Sequence, residues 1–172
     1  MKKDNIKFSI ITTTFNSEKD VKKLLESVKN QTYQNFEHIF VDSLSTDNTL
    51  KIINTYKDLY NIKIIEEKCS IYEGFNIGIR ESVGHYLNFI GSDDYYENEN
   101  VLEKIHNYSL SNEKLFYGKI YFINSKTEKK TRQYNSKKMS LNKFRFGFMP
   151  AHTSMFFPKK DIIKIGNYNL KY

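Results

Sequence analysis

The chain has 172 residues, the size of one ordinary domain. Hydrophobic residues make up 39% of it and charged residues 27%, with only 7 Gly and 2 Pro, which excludes disordered and collagen-like classes. The formal net charge of +7 suits an anionic partner, namely nucleic acid, acidic lipid or a phosphorylated small molecule. The alternative is that the scattered lysines only solvate the surface.

The cysteine content and the length of the apolar runs indicate the cellular compartment in which the protein is expected. Cys69 is the only cysteine, so the chain cannot form an internal disulfide, which favours a reducing, cytosolic setting. No apolar run approaches the roughly 20 residues that span a bilayer, and the first residues match a signal peptide poorly. We therefore expect a cytoplasmic protein, either free or at the inner face of the cell membrane.

The first hundred residues alternate between strand and helix patterns. Short apolar runs predict strands, and apolar residues at helical spacing predict the helices between them. In chain order we expect a strand over 8–14, a helix over 17–30, a strand over 37–41, a helix carrying Leu50, Ile53 and Tyr56, a strand over 62–65, a helix over 71–82 and a strand over 86–90. This alternation predicts a mostly parallel sheet with right-handed crossovers, flanked by helices.

After Asp94 the pattern changes. We expect a helix over 101–108, antiparallel strands over 115–124 and 130–134, a basic, aromatic loop with a helical turn over 137–148, and a short strand over 154–157. The predicted fold class is therefore α/β in a single domain, with a small antiparallel part in the C-terminal third.

Three polar clusters fall at the carboxyl ends of predicted strands, where parallel sheets bind their ligands. They are Thr14-Phe15-Asn16, Asp42-Ser43 and Asp93-Asp94. Adjacent carboxylates repel each other unless a cation or hydrogen bonds compensate, and hard ions such as Mg²⁺ or Mn²⁺ prefer oxygen ligands. The acidic pair therefore indicates either a metal site that also carries phosphates, or an Asp-rich turn or helix cap.

Six segments, in this order, carry a resemblance to a known family. They are Thr14-Phe15-Asn16, Ser27-Val-Lys-Asn-Gln31-Thr32, Val41-Asp42-Ser-Leu-Ser45-Thr46-Asp47-Asn48-Thr49, Ser70-Ile-Tyr-Glu73-Gly-Phe-Asn76-Ile-Gly78-Ile79, Gly84-His-Tyr-Leu-Asn-Phe-Ile-Gly-Ser-Asp93-Asp94 and Ala151-His152-Thr-Ser-Met-Phe156. Over nearly its whole length the chain resembles family 2 glycosyltransferases. The fourth segment is similar to that of the colanic-acid-biosynthesis-type subgroup.

The resemblance implies a GT-A fold and an inverting, metal-dependent transfer from a nucleoside-diphosphate-sugar donor to a glycan or lipid-linked acceptor. It implies Mn²⁺ or Mg²⁺ as the cofactor, held by Asp94, with Asp93 and His152 as further candidate ligands. A structural role is the alternative for His152, and Asp47 is expected to cap its helix. The implied nucleotide-sugar-binding residues are Thr14, Phe15, Asn16, Asp42, Ser43, Asn76 and Asp93.

The chain departs from the family pattern at three positions and at its end. Gly91 replaces the first Asp of the metal-binding signature, Glu73 replaces an Asp, and Ser70 replaces a Gly. The family's catalytic base is expected beyond Tyr172, so no catalytic residue is assigned. We expect residues 1–97 to be the nucleotide-sugar-binding half and 98–172 a partial acceptor-side half lacking the C-terminal acceptor segment. A non-catalytic nucleotide-sugar-binding or assembly module is the alternative.

Further partners follow from the C-terminal third. The basic, aromatic stretch over 137–148 would lie against anionic headgroups if the acceptor is lipid-linked, and a solvated basic loop is the alternative. A missing acceptor wall would leave apolar surface from Met149 to Phe157 partly uncovered, which favours a homo-oligomer. Nucleic acid is not expected as a partner, because a nucleic-acid-binding protein has no need for acidic residues gathered at strand ends.

Overall fold

A computed structural model describes residues 5–111, 114–135 and 140–171. Its strands are β1 (Phe8–Thr14), β2 (Phe36–Asp42), β3 (Ile62–Glu66), β4 (Tyr86–Phe89), β5 (Phe116–Tyr117), β6 (Lys119–Ile123), β7 (Lys130–Asn135) and β8 (Met155–Pro158). Its helices are α1 (Val21–Lys29), α2 (Thr49–Asn54), α3 (Ile71–Glu81), α4 (Val101–Ser109), α5 (Leu141–Arg145) and α6 (Lys159–Ile165), with a 3₁₀ turn over His152–Ser154.

Six strands form the main sheet in the order β3-β2-β1-β4-β8-β5. The first four strands of this order are parallel, whereas β8 runs antiparallel to both β4 and β5. The hairpin β6–β7 forms a separate two-stranded antiparallel sheet. These observations confirm the predicted α/β class, with its mostly parallel sheet and small antiparallel part.

Helices cover both faces of the sheet. Leu24 and Leu25 of α1 pack with Phe8, Ile10 and other residues of one face in a single buried cluster. On the other face, α3 approaches β1 so closely that a Cβ on Gly78 would lie 2.4 Å from Ile11 Cγ2. Because both faces are covered, every residue of β2 is buried, as expected of a central parallel strand.

The first half departs from the predicted boundaries at two helices. Residues 18–20 form a turn, so α1 begins at Val21 rather than at residue 17. Helix α2 ends at Asn54, and Tyr56 reaches the core from the turn that follows it. The remaining strands and helices before Asp94 agree with the prediction to within about two residues.

Larger corrections fall in the C-terminal third. The strand predicted over 115–124 is two strands, because the chain leaves the main sheet at Gly118. Helix α6 was not predicted, and α5 provides the helical turn expected in 137–148, of which residues 137–139 lie outside the described residues. The uncovered apolar surface expected over 149–157 is wrong for Met155 and Phe156, which are buried in β8, whereas Met149 is exposed.

The two halves predicted by sequence contribute to one sheet, since β5 and β8 of the second half extend β1–β4 of the first. The hairpin β6–β7 is held to the body by exposed ion pairs, Lys23–Glu128 and Lys130–Glu97, each at 2.6 Å. The assignment of donor and acceptor roles to residues 1–97 and 98–172 stays a prediction. Within the described residues, no helix is long and apolar enough to cross a bilayer.

Candidate functional site

A cleft of about 800 Å³ opens at the carboxyl ends of β1, β2 and β4. Of the residues predicted to bind nucleotide-sugar or metal, Thr14, Phe15, Ser43, Asp93 and His152 line it. The structure therefore brings most of the three polar clusters, together with His152, to one edge of the sheet. This is the edge where parallel sheets bind their ligands.

Asp42 lies beneath this edge and joins two of its loops. The residue has no exposed surface. Its carboxylate accepts hydrogen bonds from Thr14 Oγ1 at 2.7 Å, from the Ser45 backbone N–H at 2.7 Å and from Ser45 Oγ at 2.6 Å. Direct contact with a ligand would require the Ser45 turn to move, so the predicted contact of Asp42 with base or ribose stays a prediction.

Asn16 extends the same network away from the cleft. Its backbone N–H donates to Ser45 Oγ at 2.9 Å, and its Oδ1 accepts from the Thr46 N–H at 2.9 Å. Asn16 and Leu44 have positive φ angles of 50° and 59°. Non-glycine residues rarely adopt such angles, and those that do are frequently found at functional sites. The loops after β1 and β2 thus hold each other in defined conformations at the mouth of the cleft.

Asp47 is placed as expected, at the start of α2. Its Oδ1 accepts from the Thr49 N–H at 2.9 Å, and its Oδ2 accepts from the Glu18 N–H at 3.1 Å. The carboxylate therefore caps the first turn of α2 and fixes the turn that leads into α1. These bonds fit the capping role rather than a ligand contact.

The acidic turn folds over Gly91. A Cβ added at Gly91 would lie 2.8 Å from Asp93 Oδ1 and 3.3 Å from Asp94 Oδ2. The space that a side chain at position 91 would need is thus taken by the two carboxylates that follow. Because both atoms are the ends of flexible side chains, a side chain at position 91 would displace these carboxylates rather than be excluded by them.

The two carboxylates differ in environment. Asp93 is exposed, whereas Asp94 is half-buried. Burial, with a smaller contribution from the negative charge of Asp93, raises the pKa of Asp94, although hydrogen bonds from the Gly91 backbone and the Thr153 side chain oppose this shift. A cation bound beside Asp94 would offset both unfavourable contributions.

His152 is held by aromatic neighbours. Its Nε2 lies 2.8 Å from the Tyr168 hydroxyl, and its ring stacks on Phe89 with the centroids 5.5 Å apart. Although the residue is exposed overall, these neighbours partly shield the imidazole ring from water. This desolvation lowers the pKa of His152 and favours the neutral imidazole. Across the described residues no group of three His, Cys, Asp or Glu side chains converges on one point. Asp93, Asp94 and His152 are therefore not a preassembled three-ligand centre.

Asn76 was expected to bind nucleotide-sugar, and its amide is already engaged. Its Nδ2 donates to the Tyr168 carbonyl at 3.0 Å, and its Oδ1 accepts from the Tyr168 N–H at 2.8 Å. The side chain thus fixes the segment that carries the partner of His152. A donor contact by Asn76 stays a prediction and would compete with these two bonds.

Sequence reasoning missed three residues at this edge. Lys68 brings a positive charge to the lining of the cleft, and its position just before the capped start of α3 at Ser70 was the available signal. Thr153 lines the cleft and its side chain lowers the pKa of Asp94, and Asn88 donates to the Thr153 carbonyl from inside β4. Both Asn88 and Thr153 lie within segments that carry the family resemblance, but no local pattern indicates their contacts, because their partners come from distant parts of the chain.

Comparisons with known proteins agree with this geometry. Residues 9–165 match the profile of Glycosyl transferase family 2. The chain is 36% identical over 110 residues to the Escherichia coli protein WfaP, a UDP-Glc:alpha-D-GlcNAc-diphosphoundecaprenol beta-1,3-glucosyltransferase, covering 63% of this chain and 43% of that relative. It is 37% identical over 101 residues to TarS of Staphylococcus aureus, a poly(ribitol-phosphate) beta-N-acetylglucosaminyltransferase, covering 56% of this chain and 18% of TarS.

The structural comparison covers more of the chain. A crystal structure of part of S. aureus TarS in complex with UDP-GlcNAc gives a TM-score of 0.77 at 26% identity, covering 91% of this chain and 47% of that one. The chain therefore spans less than half the length of WfaP and of TarS. The fold expected from the resemblance, GT-A, is confirmed, whereas the colanic-acid-type subgroup stays a prediction. Because the family profile matches nearly the whole chain and the fold agrees, this chain belongs to glycosyl transferase family 2.

Proposed function

We propose that this chain is a glycosyltransferase domain that binds a nucleoside-diphosphate-sugar and transfers the sugar, with inversion, to a glycan or lipid-linked acceptor. The observation that carries the proposal is the cleft at the strand ends, bordered by the Asp93–Asp94 turn on one side and by the loops after β1 and β2 on the other. The relatives support it, since the TarS fragment was solved with UDP-GlcNAc and WfaP is named for a UDP-Glc donor.

The lining of the cleft suits such a donor. Phe15 and Leu44, both about half exposed at its mouth, offer apolar surface to a base or sugar ring. Lys68 supplies a positive charge for a phosphate, whereas the hydroxyls of Thr14 and Ser43 already donate to Asp42 and to the Cys69 carbonyl. We propose that residues 1–97 provide most of these contacts and that residues 98–172 form part of the acceptor side.

The proposed cofactor is Mn²⁺ or Mg²⁺. The donor set fits a hard divalent ion, because Asp93 and Asp94 present adjacent carboxylates, and burial together with the negative charge of Asp93 raises the pKa of Asp94. Two carboxylates leave room for phosphate oxygens as further ligands. When bound, such an ion neutralises charge that develops on the leaving diphosphate. Inversion also needs a general base, and we assign that role to no described residue.

We propose that the acceptor approaches from a membrane surface. Phe146, Phe148 and Met149 are 80%, 62% and 58% exposed, and Arg145 is exposed beside them. Exposed aromatic and cationic side chains together suit the boundary of an anionic bilayer. The segment ends only a few residues before His152, so binding there would place the cleft near a lipid-linked acceptor. Self-association through the same residues is the alternative.

Nucleotide binding tests the proposal directly. Isothermal calorimetry with UDP, GDP and dTDP, each with and without Mn²⁺, is expected to show binding of at least one nucleotide that strengthens with the ion. Asp94→Asn keeps the shape of the side chain and removes its charge, so the variant should lose the effect of Mn²⁺. Transfer to a synthetic diphosphate-lipid acceptor then tests the reaction. If no nucleoside diphosphate binds in either condition, the proposed function is wrong.

A further inference from the structure

We infer that Asn88 is a positioning residue that holds together the two turns on the acidic side of the cleft. One turn carries Asp93 and Asp94, and the other carries His152 and Thr153. The inference rests on the proposed function, because it concerns the geometry of the proposed metal and diphosphate site. Asn88 would act through its neighbours, since it does not line the cleft.

The amide nitrogen of Asn88 fixes the second turn. Asn88 lies in the centre of the main sheet on β4 and has no exposed surface. Its Nδ2 donates to the Thr153 carbonyl at 3.0 Å and to the Met155 carbonyl at 2.9 Å. Both N–H groups of the amide therefore bind the backbone at the 3₁₀ turn and the start of β8.

The amide oxygen fixes the chain that follows the first turn. Asn88 Oδ1 accepts a hydrogen bond from the Tyr96 hydroxyl at 2.8 Å. Tyr96 is buried, and its backbone N–H donates to Ser27 Oγ on α1 at 3.1 Å. The chain that leaves Asp94 is thus anchored at Tyr96, and Asn88 helps to set the position of that anchor.

The two turns also lie side by side, since the Thr153 side chain is close enough to Asp94 to lower the pKa of its carboxyl. Asn88 therefore links Tyr96, two residues after Asp94, to the backbone of Thr153 on the neighbouring turn. Breaking one of these hydrogen bonds leaves a buried polar group without its partner, which costs free energy. Such networks are therefore rigid. These bonds help to set the position of the turn that carries Asp93, which lines the cleft, and Asp94, which does not.

The position of Asn88 distinguishes this role from general packing. Its neighbours on the strand, Leu87 and Phe89, are buried and apolar, as expected for a central strand. The three side-chain hydrogen bonds of Asn88 all lead to chain segments beside the two turns. An apolar residue would fill the same space but would leave the Thr153 carbonyl and the Tyr96 hydroxyl without these bonds.

Hydrogen–deuterium exchange of the protein without ligand tests the inference independently of any activity. Tyr96→Phe removes only a hydroxyl, and Asn88→Ala removes the whole amide. Tyr96→Phe should speed exchange of the amides in 92–96 and 152–155 by roughly 2- to 12-fold, the range for one net hydrogen bond, and Asn88→Ala, which removes three bonds, should speed it more. The matched control is Tyr60→Phe, which removes a hydroxyl that lies 3.2 Å from His38 Nδ1 in another part of the protein. If Asn88→Ala does not fold, Tyr96→Phe alone decides the result.

A metal titration supplies the second readout. In the presence of UDP, the Mn²⁺ concentration for half-maximal effect should rise about tenfold in Tyr96→Phe and Thr153→Val, as for residues that support metal ligands. Thr153→Ser keeps the hydroxyl and should restore the parent value, whereas Tyr60→Phe should not change it. A parent that binds none of the nucleoside diphosphates would refute the proposed function, and exchange would still decide the role of Asn88. The inference would be overturned if the variants left the exchange rates of the amides in 92–96 and 152–155 unchanged. It would also be overturned if they raised the exchange rates equally over the whole core.

Discussion

Thr14 and Asp42 are paired in register at the ends of β1 and β2, and the Thr14 hydroxyl donates to the Asp42 carboxylate at 2.7 Å. The Ser43 N–H also donates to the Thr14 carbonyl at 2.8 Å, so the two strand ends are joined by backbone and side chain together. This junction supports the loops that carry Phe15 and Leu44 at the mouth of the cleft. Its integrity should therefore matter for donor binding even though Asp42 is buried.

Asp42→Ala should weaken nucleotide binding by roughly 1–3 kcal/mol, because three hydrogen-bond donors lose their acceptor at once. Calorimetry with UDP measures the effect, and circular dichroism checks that the variant is folded. Ser45→Ala removes one of these donors and keeps the carboxylate, so its effect should have the same direction and be smaller. A folded Asp42→Ala variant with the affinity of the parent would contradict the prediction.

Gly91→Ala should weaken the metal-dependent part of nucleotide binding by about 10- to 100-fold. The new Cβ would lie 2.8 Å from Asp93 Oδ1, so the carboxylate has to move away from its present position. Titration of Mn²⁺ in the presence of UDP measures this change. Gly118→Ala is the matched control, because a Cβ there meets no atom within 4 Å. Equal effects of the two substitutions would show that the position of the acidic turn does not matter.

Replacement of Phe146 and Phe148 together by Ser should reduce binding to vesicles of phosphatidylcholine with phosphatidylglycerol by roughly tenfold or more, because two large apolar side chains lose their burial. Co-sedimentation measures the bound fraction. The matched control replaces Ile163 and Ile165 by Ser, because these side chains are also exposed, by 63% and 82%, but lie on α6. If the parent does not bind these vesicles, the membrane proposal fails, and light scattering then tests self-association through the same residues.

The stability of the protein should fall in mild acid because of His38. Complete burial lowers the pKa of His38 from 6.5 to about 3 in the folded protein. The unfolded chain therefore binds the proton more readily than the folded protein. The contribution of neutral His38 to the free energy of unfolding is fully present above pH 6.5. Below pH 6.5 the free energy of unfolding falls by up to about 1.4 kcal/mol per pH unit. Urea unfolding between pH 7.5 and pH 5 measures the slope. His38→Gln should flatten it, and an unchanged slope in this variant would assign the acid sensitivity to other groups.

The sequence predicted β1 to β4 and the helices between them well, because apolar periodicity is a local property of each segment. It did not predict the break at Gly118, since the partner of β5 is β8, almost forty residues further along the chain. Polar clusters at strand ends indicated the position of the cleft, because parallel topology gathers such ends at one edge. The role of Asn88 could not be predicted, since all of its side-chain bonds depend on how distant turns pack.

The pairing of Asn76 with Tyr168 has a consequence for the order of events during synthesis. The four parallel strands of the main sheet are complete once residue 89 has been made, and N-terminal parts of a chain fold first. The Asn76 amide and the His152 ring acquire their shared partner only when Tyr168 follows, 92 residues after Asn76. A nascent chain can therefore pair its four parallel strands while the wall of its cleft is still open, and that wall closes only after β8 and Tyr168 have been made.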